Sequence, residues 1–123
     1  MQSRQTVVVL GASDNPERYS NKAVHELKTR GHQVIPVNPR LAELEGLPVR
    51  AALDEVDQPV DTLSVYLGPA ASGAQLDAIL ALKPGRVIFN PGSENSELMA
   101  ALQQAGIPVE QACTLVLLRT DQF

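Results

Sequence analysis

The sequence predicts an α/β fold: a small, single, doubly wound domain with a mostly parallel sheet of about five strands. Apolar runs without alternation, such as Thr6-Val-Val-Val-Leu10, suit strands buried on both faces. Segments of helical period separate these runs, so strands and helices alternate along the chain. Right-handed crossovers then put helices on both sides of the sheet. The 123 residues fit one domain, residues 1–123, and 44% hydrophobic with 20% charged residues excludes disordered, collagen-like and coiled-coil classes.

The first strand is Thr6–Leu10, bounded by Gly11 and a polar loop to Arg18. A helix is expected from about Ser20 to Arg30, with Ala23, Val24 and Leu27 on one face, Ser20 or Asn21 as N-cap and Gly31 just past the end. Val34–Val37 is a second strand, where Pro36 requires an edge or a position that needs no N–H. Residues 40–61 are the least legible, with Leu47–Val49 a minor strand and Ala52–Val56 a short helix. Thr62–Leu67 is the next strand, and Pro69 opens a helix through Leu76, Ile79, Leu80 and Leu82 that Lys83-Pro84-Gly85 ends. After the strand Arg86–Phe89, a turn at Asn90-Pro91-Gly92 leads to a helix from about Glu94 to Ala105. Ser93 is its expected cap, with Leu98, Ala101, Leu102 and Ala105 facing inward. A last strand falls at about Ile107–Val109, and Thr114–Leu118 is strand or short helix.

The opening residues run straight into the first strand, too short for a signal segment and far below the ~20 apolar residues that span a bilayer, so a cytoplasmic location is expected. Cys113 is the single cysteine, and with only His25 and His32 beside it no metal-ligand spacing exists. No tryptophan, 3% aromatics and a net charge of −4 argue against nucleic acid. Residues 1–50 carry a net +2 and residues 51–123 a net −6. That contrast fits ordinary scatter or an anion site near the N-terminus.

In doubly wound sheets ligands bind beyond the carboxyl ends of the strands, so the residues after each strand are the candidates. Gly11-Ala12-Ser13-Asp14-Asn15-Pro16-Glu17-Arg18 joins a strand to a helix N-terminus, an arrangement that presents N–H groups and the positive helix end to an anion. Only Gly11 of a G-x-G-x-x-G fingerprint is present, and Ser13 and Asn15 also suit an ordinary turn. The Arg18 fork is suited to phosphate. Asn38-Pro39-Arg40 follows the second strand without the acidic residue that grips the ribose of NAD. Arg40 instead fits a phosphorylated ribose, in NADP or coenzyme A. The small size favours the ligand with one nucleotide and a flexible arm.

The combination Val9-Leu10-Gly11-Ala12-Ser13-Asp14-Asn15-Pro16-Glu17-Arg18, then His32 to Arg40, then Asn90 to Asn95, then a late Cys, resembles the small stand-alone coenzyme A-binding domain proteins. These are similar in their Rossmann-like fold to the nucleotide-binding domain at the start of the succinyl-CoA synthetase alpha subunit. The resemblance runs from about Thr6 to Leu118. It implies that Gly11, Ala12, Ser13 and Arg18 hold the pyrophosphate and that Asn38, Pro39 and Arg40 border the adenosine and its 3′-phosphate. Pro69, Asn90, Pro91 and Gly92 would line the path of the pantetheine arm. The synthetase's phosphorylated histidine lies in a later domain, and neither His25 nor His32 matches it, so ligase activity is not implied. Many stand-alone members carry a charge just before the late Cys, where this chain has Gln111-Ala112-Cys113.

Spacing assembles no nucleophile, base and orienting group, which favours a module that binds coenzyme A or an acyl-CoA over an enzyme. An NADP-binding oxidoreductase fragment is the second reading and a scaffold with a vestigial nucleotide pocket the third. Cys113 is a small buried residue or a contact for the thiol end of coenzyme A. A small-molecule nucleotide is thus the expected partner, with no nucleic acid and no membrane; the sequence does not address the oligomeric state.

Overall fold

Continuous apolar strands need cover on both sides, and the chain wraps itself to supply it. The computed structural model describes residues 3–123. Its strands are β1 (Thr6–Leu10), β2 (Gln33–Val37), β3 (Glu43–Leu44), β4 (Leu47–Pro48), β5 (Thr62–Val65), β6 (Arg86–Phe89) and β7 (Val109–Gln111). The helices are α1 (Tyr19–Thr29), α2 (Pro69–Gly73), α3 (Leu76–Leu82), α4 (Ser96–Gln104) and α5 (Thr114–Arg119), with one 3-10 turn at Leu53–Glu55.

The main sheet has the order β2-β1-β5-β6-β7 and is parallel throughout. From β1 the chain steps out to the edge strand β2, then crosses back to β5 and winds the other way. The carboxyl ends of β1 and β5 therefore flank the point where the winding reverses. Alternate residues serve the two faces: Val7, Val9 and Ile88 pack with Val24 and Leu27 of α1 and Leu118 of α5. Val8, Leu10, Leu63, Val65, Val87 and Phe89 turn the other way, toward Ile79 of α3 and Leu98 and Leu102 of α4.

β1, β6, the start of α2 at Pro69 and the end of α1 agree with expectation. Gly31 closes α1 as a Schellman turn, its N–H donating to Lys28 O and that of His32 to Leu27 O, both at 3.1 Å. Pro36 sits on an edge strand, where Arg50 donates to its carbonyl at 3.0 Å and partly covers the edge.

Several boundaries differ, each for a tertiary reason. Neither Ser20 nor Asn21 caps α1: the N-cap is Arg18, without a capping side chain, and Asn21 Nδ2 instead donates to Ser13 O at 2.9 Å. Asn95, not Ser93, caps α4, its Oδ1 accepting from the Leu98 N–H at 3.0 Å. Ser93 is buried and donates to Asn90 O at 2.7 Å, and Ala105 lies beyond the helix, exposed. The helix expected from Pro69 to Leu82 is two helices. A Cβ on Gly73 would meet Asn95 Nδ2 at 2.7 Å, and that amide donates to Pro69 O at 2.8 Å, so α2 is drawn against the start of α4.

The last strand is shifted to Val109–Gln111, because Pro108 offers its carbonyl to Val87 N–H at 2.9 Å. Thr114–Arg119 is helix. The Thr62 strand ends at Val65, and the segment around Ala52–Val56 tightens to three residues of 3-10 helix. β4 falls within the expected Leu47–Val49, while its partner β3 was not anticipated.

Candidate functional site

The site forms where the loops after β1 and β5 part. Gly11 has φ +91°, and a Cβ there would stand 3.0 Å from Leu67 Cδ2 and 3.3 Å from Leu67 N. Backbone conformation and close approach of the β5 loop both demand glycine. The N–H groups of Gly11 and Ala12 donate to Val37 O at 3.2 and 3.1 Å, and Asn38 Nδ2 donates to Ala12 O at 2.7 Å. The β1 and β2 ends are thereby tied together, and neither N–H remains for a ligand.

Donors for an anion come instead from the next residues. Ser13 Oγ accepts from the Asn15 N–H at 3.1 Å, which leaves its own hydroxyl proton free to point outward. Asn15 Oδ1 accepts from the Glu17 N–H at 3.0 Å, shaping the turn. No side chain caps the start of α1, so its first N–H groups are open. The Arg18 guanidinium makes no ion pair or side-chain hydrogen bond among the described residues, and neither does that of Arg40.

Three adjoining chambers follow the carboxyl edge of the sheet. The middle one, about 460 Å³, is walled by Gly11, Ala12, Ser13, Arg18, Tyr19, Ser20, Asn38, Tyr66, Leu67 and Pro91. On one side it shares Gly11, Asn38 and Leu67 with a chamber of about 290 Å³ that adds Pro39, Ala51, Ala52, Ala71 and Gln75. On the other it shares Tyr19, Tyr66 and Pro91 with one of about 350 Å³ that adds Asn90, Cys113, Leu115, Val116 and Arg119.

Gly11, Ala12, Ser13, Arg18, Asn38, Pro39, Asn90, Pro91 and Cys113 thus share one crevice. Asn15, Arg40, Pro69 and Gly92 line none of its chambers. Arg40 is exposed two residues past Asn38, its N–H donating to Asn38 Oδ1 at 2.7 Å. Pro69 is engaged with Asn95, and the Gly92 N–H donates to Glu94 Oε1 at 2.8 Å. Asn90 is 1% exposed and internally satisfied: Nδ2 donates to Ser64 Oγ and Val65 O, both at 2.9 Å, while Oδ1 accepts from the Thr114 N–H at 2.8 Å. It pins α5 to the sheet.

Sequence reasoning passed over Tyr66, Leu67 and Tyr19. The first two follow β5 directly, so the strand-end rule reaches them once β5 is known to stop at Val65. The Tyr66 hydroxyl is buried with no hydrogen-bond partner. Burial pushes it up to about 12, so this wall of the crevice stays uncharged. Among the described residues no helix is long and apolar enough to cross a membrane, and no three His, Cys, Asp or Glu residues are grouped to hold a metal ion.

A parallel sheet that reverses at β1/β5, with a crevice over its carboxyl edge, defines a Rossmann-like domain. Residues 5–119 match the CoA binding domain family, and the chain belongs to that family. The solved structure of cell-free ID.343 from Thermus thermophilus is 38% identical and superposes with a TM-score of 0.89, covering 98% of this chain and 91% of that one. A dinucleotide-forming acetyl-coenzyme A synthetase of Ca. Korarchaeum cryptofilum shares the fold. It is 21% identical with a TM-score of 0.77, over 88% of this chain and 25% of the synthetase. Uncharacterized protein YneT of Bacillus subtilis (strain 168) is 33% identical over 66 residues. That match spans 54% of this chain and about half, 49%, of the length of that curated relative.

Proposed function

We propose that the crevice binds coenzyme A as a single extended ligand. The observation that carries this reading is the continuity of the three chambers, with the uncapped start of α1 and the Arg18 fork at the middle one. A pyrophosphate fits that middle position, where open N–H groups, the helix dipole and a guanidinium meet. The adenine then rests on Asn38, Pro39, Ala51 and Ala52, with Arg40 at the rim for the 3′-phosphate. The pantetheine arm passes between Tyr66 and Pro91 and ends near Cys113. The chain acts as a binding module.

Titration calorimetry with coenzyme A, dephospho-coenzyme A and NADPH tests this. Coenzyme A is expected to bind best, and Arg40→Ala to weaken it by about 1.5–3 kcal/mol while leaving dephospho-coenzyme A little changed. A preference for NADPH, or equal losses for both coenzymes, would overturn the assignment. Coenzyme A disulfide reports on the arm: the Cys113 thiolate attacks one sulfur, a mixed disulfide forms and free coenzyme A leaves. Intact mass should gain one coenzyme A moiety in the native chain and none in Cys113→Ser.

A further inference from the structure

The chamber around Cys113 differs from the other two. Its walls are largely hydrocarbon, from Tyr19, Tyr66, Pro91, Leu115 and Val116. Tyr19 at 69% and Val116 at 54% are the large hydrophobic side chains exposed on the described surface, and both stand at this chamber. Its polar groups are engaged or uncharged. The Asn90 amide is satisfied within the protein, and Arg119, which also lines the chamber, donates from Nε to Glu26 Oε1 at 3.2 Å. The Tyr66 hydroxyl keeps its proton.

A free thiol calls for none of this. At about 350 Å³ the chamber has room for roughly ten groups the size of a water or a methylene, at about 30 Å³ each. Three walls shared with the middle chamber make it a continuation of the nucleotide crevice. We propose that it receives the acyl group of a coenzyme A thioester, and that the acyl group is an uncharged hydrocarbon chain of short to medium length. The inference rests on the coenzyme A reading and adds the class of thioester. A carboxylated acyl group, such as succinyl, would bring its charge against Leu115 and Val116, where the one cation lining the chamber, Arg119, already pairs with Glu26.

Calorimetry on the full chain with coenzyme A and its acetyl, butyryl, hexanoyl and succinyl thioesters tests it. Affinity should rise about fourfold per added methylene, the gain from burying one such group. Hexanoyl-CoA is then the tightest of the series and succinyl-CoA falls below butyryl-CoA. Val116→Asp should bring the ratio of hexanoyl-CoA to coenzyme A affinity close to one, while Val116→Ile keeps it. Coenzyme A binding with no gain from acetyl to hexanoyl, a preference for succinyl-CoA, or an unchanged ratio in Val116→Asp overturns the inference and leaves the coenzyme A reading standing. No binding by any member of the series overturns the reading beneath it.

Discussion

Asn90 shows how a polar side chain at a strand end can serve the fold more than the ligand. Three hydrogen bonds to Ser64, Val65 and Thr114 occupy its amide, all of them buried. Asn90→Ala should therefore cost about 3 kcal/mol, since it strands a buried N–H and weakens the Ser64–Thr114 pair, which is 2.8 Å apart. Chemical denaturation checks this. A loss under about 1 kcal/mol would mean water replaces the amide. The Asn-Pro turns were legible as turns, but an asparagine engaged within the protein cannot be told from one facing a ligand without knowing that α5 returns to β5. Tyr66 was missed for a similar reason: it reads as one more apolar residue of a strand.

At the scale of elements, the two long helices begin in opposite ways. α4 is capped by Asn95 and none of its residues lines the three chambers, whereas α1 starts at Arg18 without a capping side chain. An uncapped helix start beside a cavity leaves its orphan donors to a ligand. Asn95→Ala should lower stability by about 1 kcal/mol and speed amide exchange in the first turn of α4. Unchanged exchange there would show that Pro69 and Gly73 hold the helix start without the cap. Ser93, Ser20 and Asn21 all satisfy the local rules for a cap. The choice among them depended on which side chains another element had already engaged: Asn21 holds the Ser13 loop and Ser93 holds the Asn90 turn.

For the whole molecule, the amino end of the sheet carries a pH-sensitive contact far from the crevice. His32 is 7% exposed, and its Nδ1 accepts from the Gln5 N–H at 3.0 Å, so the neutral ring carries its proton on Nε2. Burial first, then Arg30 and Arg4, lower its pKa below the ordinary 6.5. The folded protein then binds fewer protons than the unfolded chain. The resulting stability is complete above about pH 6.5 and is lost as the pH falls through the folded value. Nitrogen-detected NMR should show the Nε2–H form at pH 6.5, with titration only at lower pH. A ring already protonated at pH 6.5 would sink the assignment, and melting temperature should fall on acidification.

Local chemistry in the sequence determined the alternation of strands and helices, the edge position of Pro36, the glycine stops and the family resemblance. Each of these depends on neighbours a few residues away or on an ordered set of segments. Only the tertiary structure decided which caps are used, where the Pro69–Leu82 segment breaks, and that Tyr19, Tyr66 and Val116 meet at one mouth. Those outcomes depend on residues as far apart in the chain as Tyr19 and Val116 lining one chamber, which the packing of α5 on α1 brings about and no local pattern encodes.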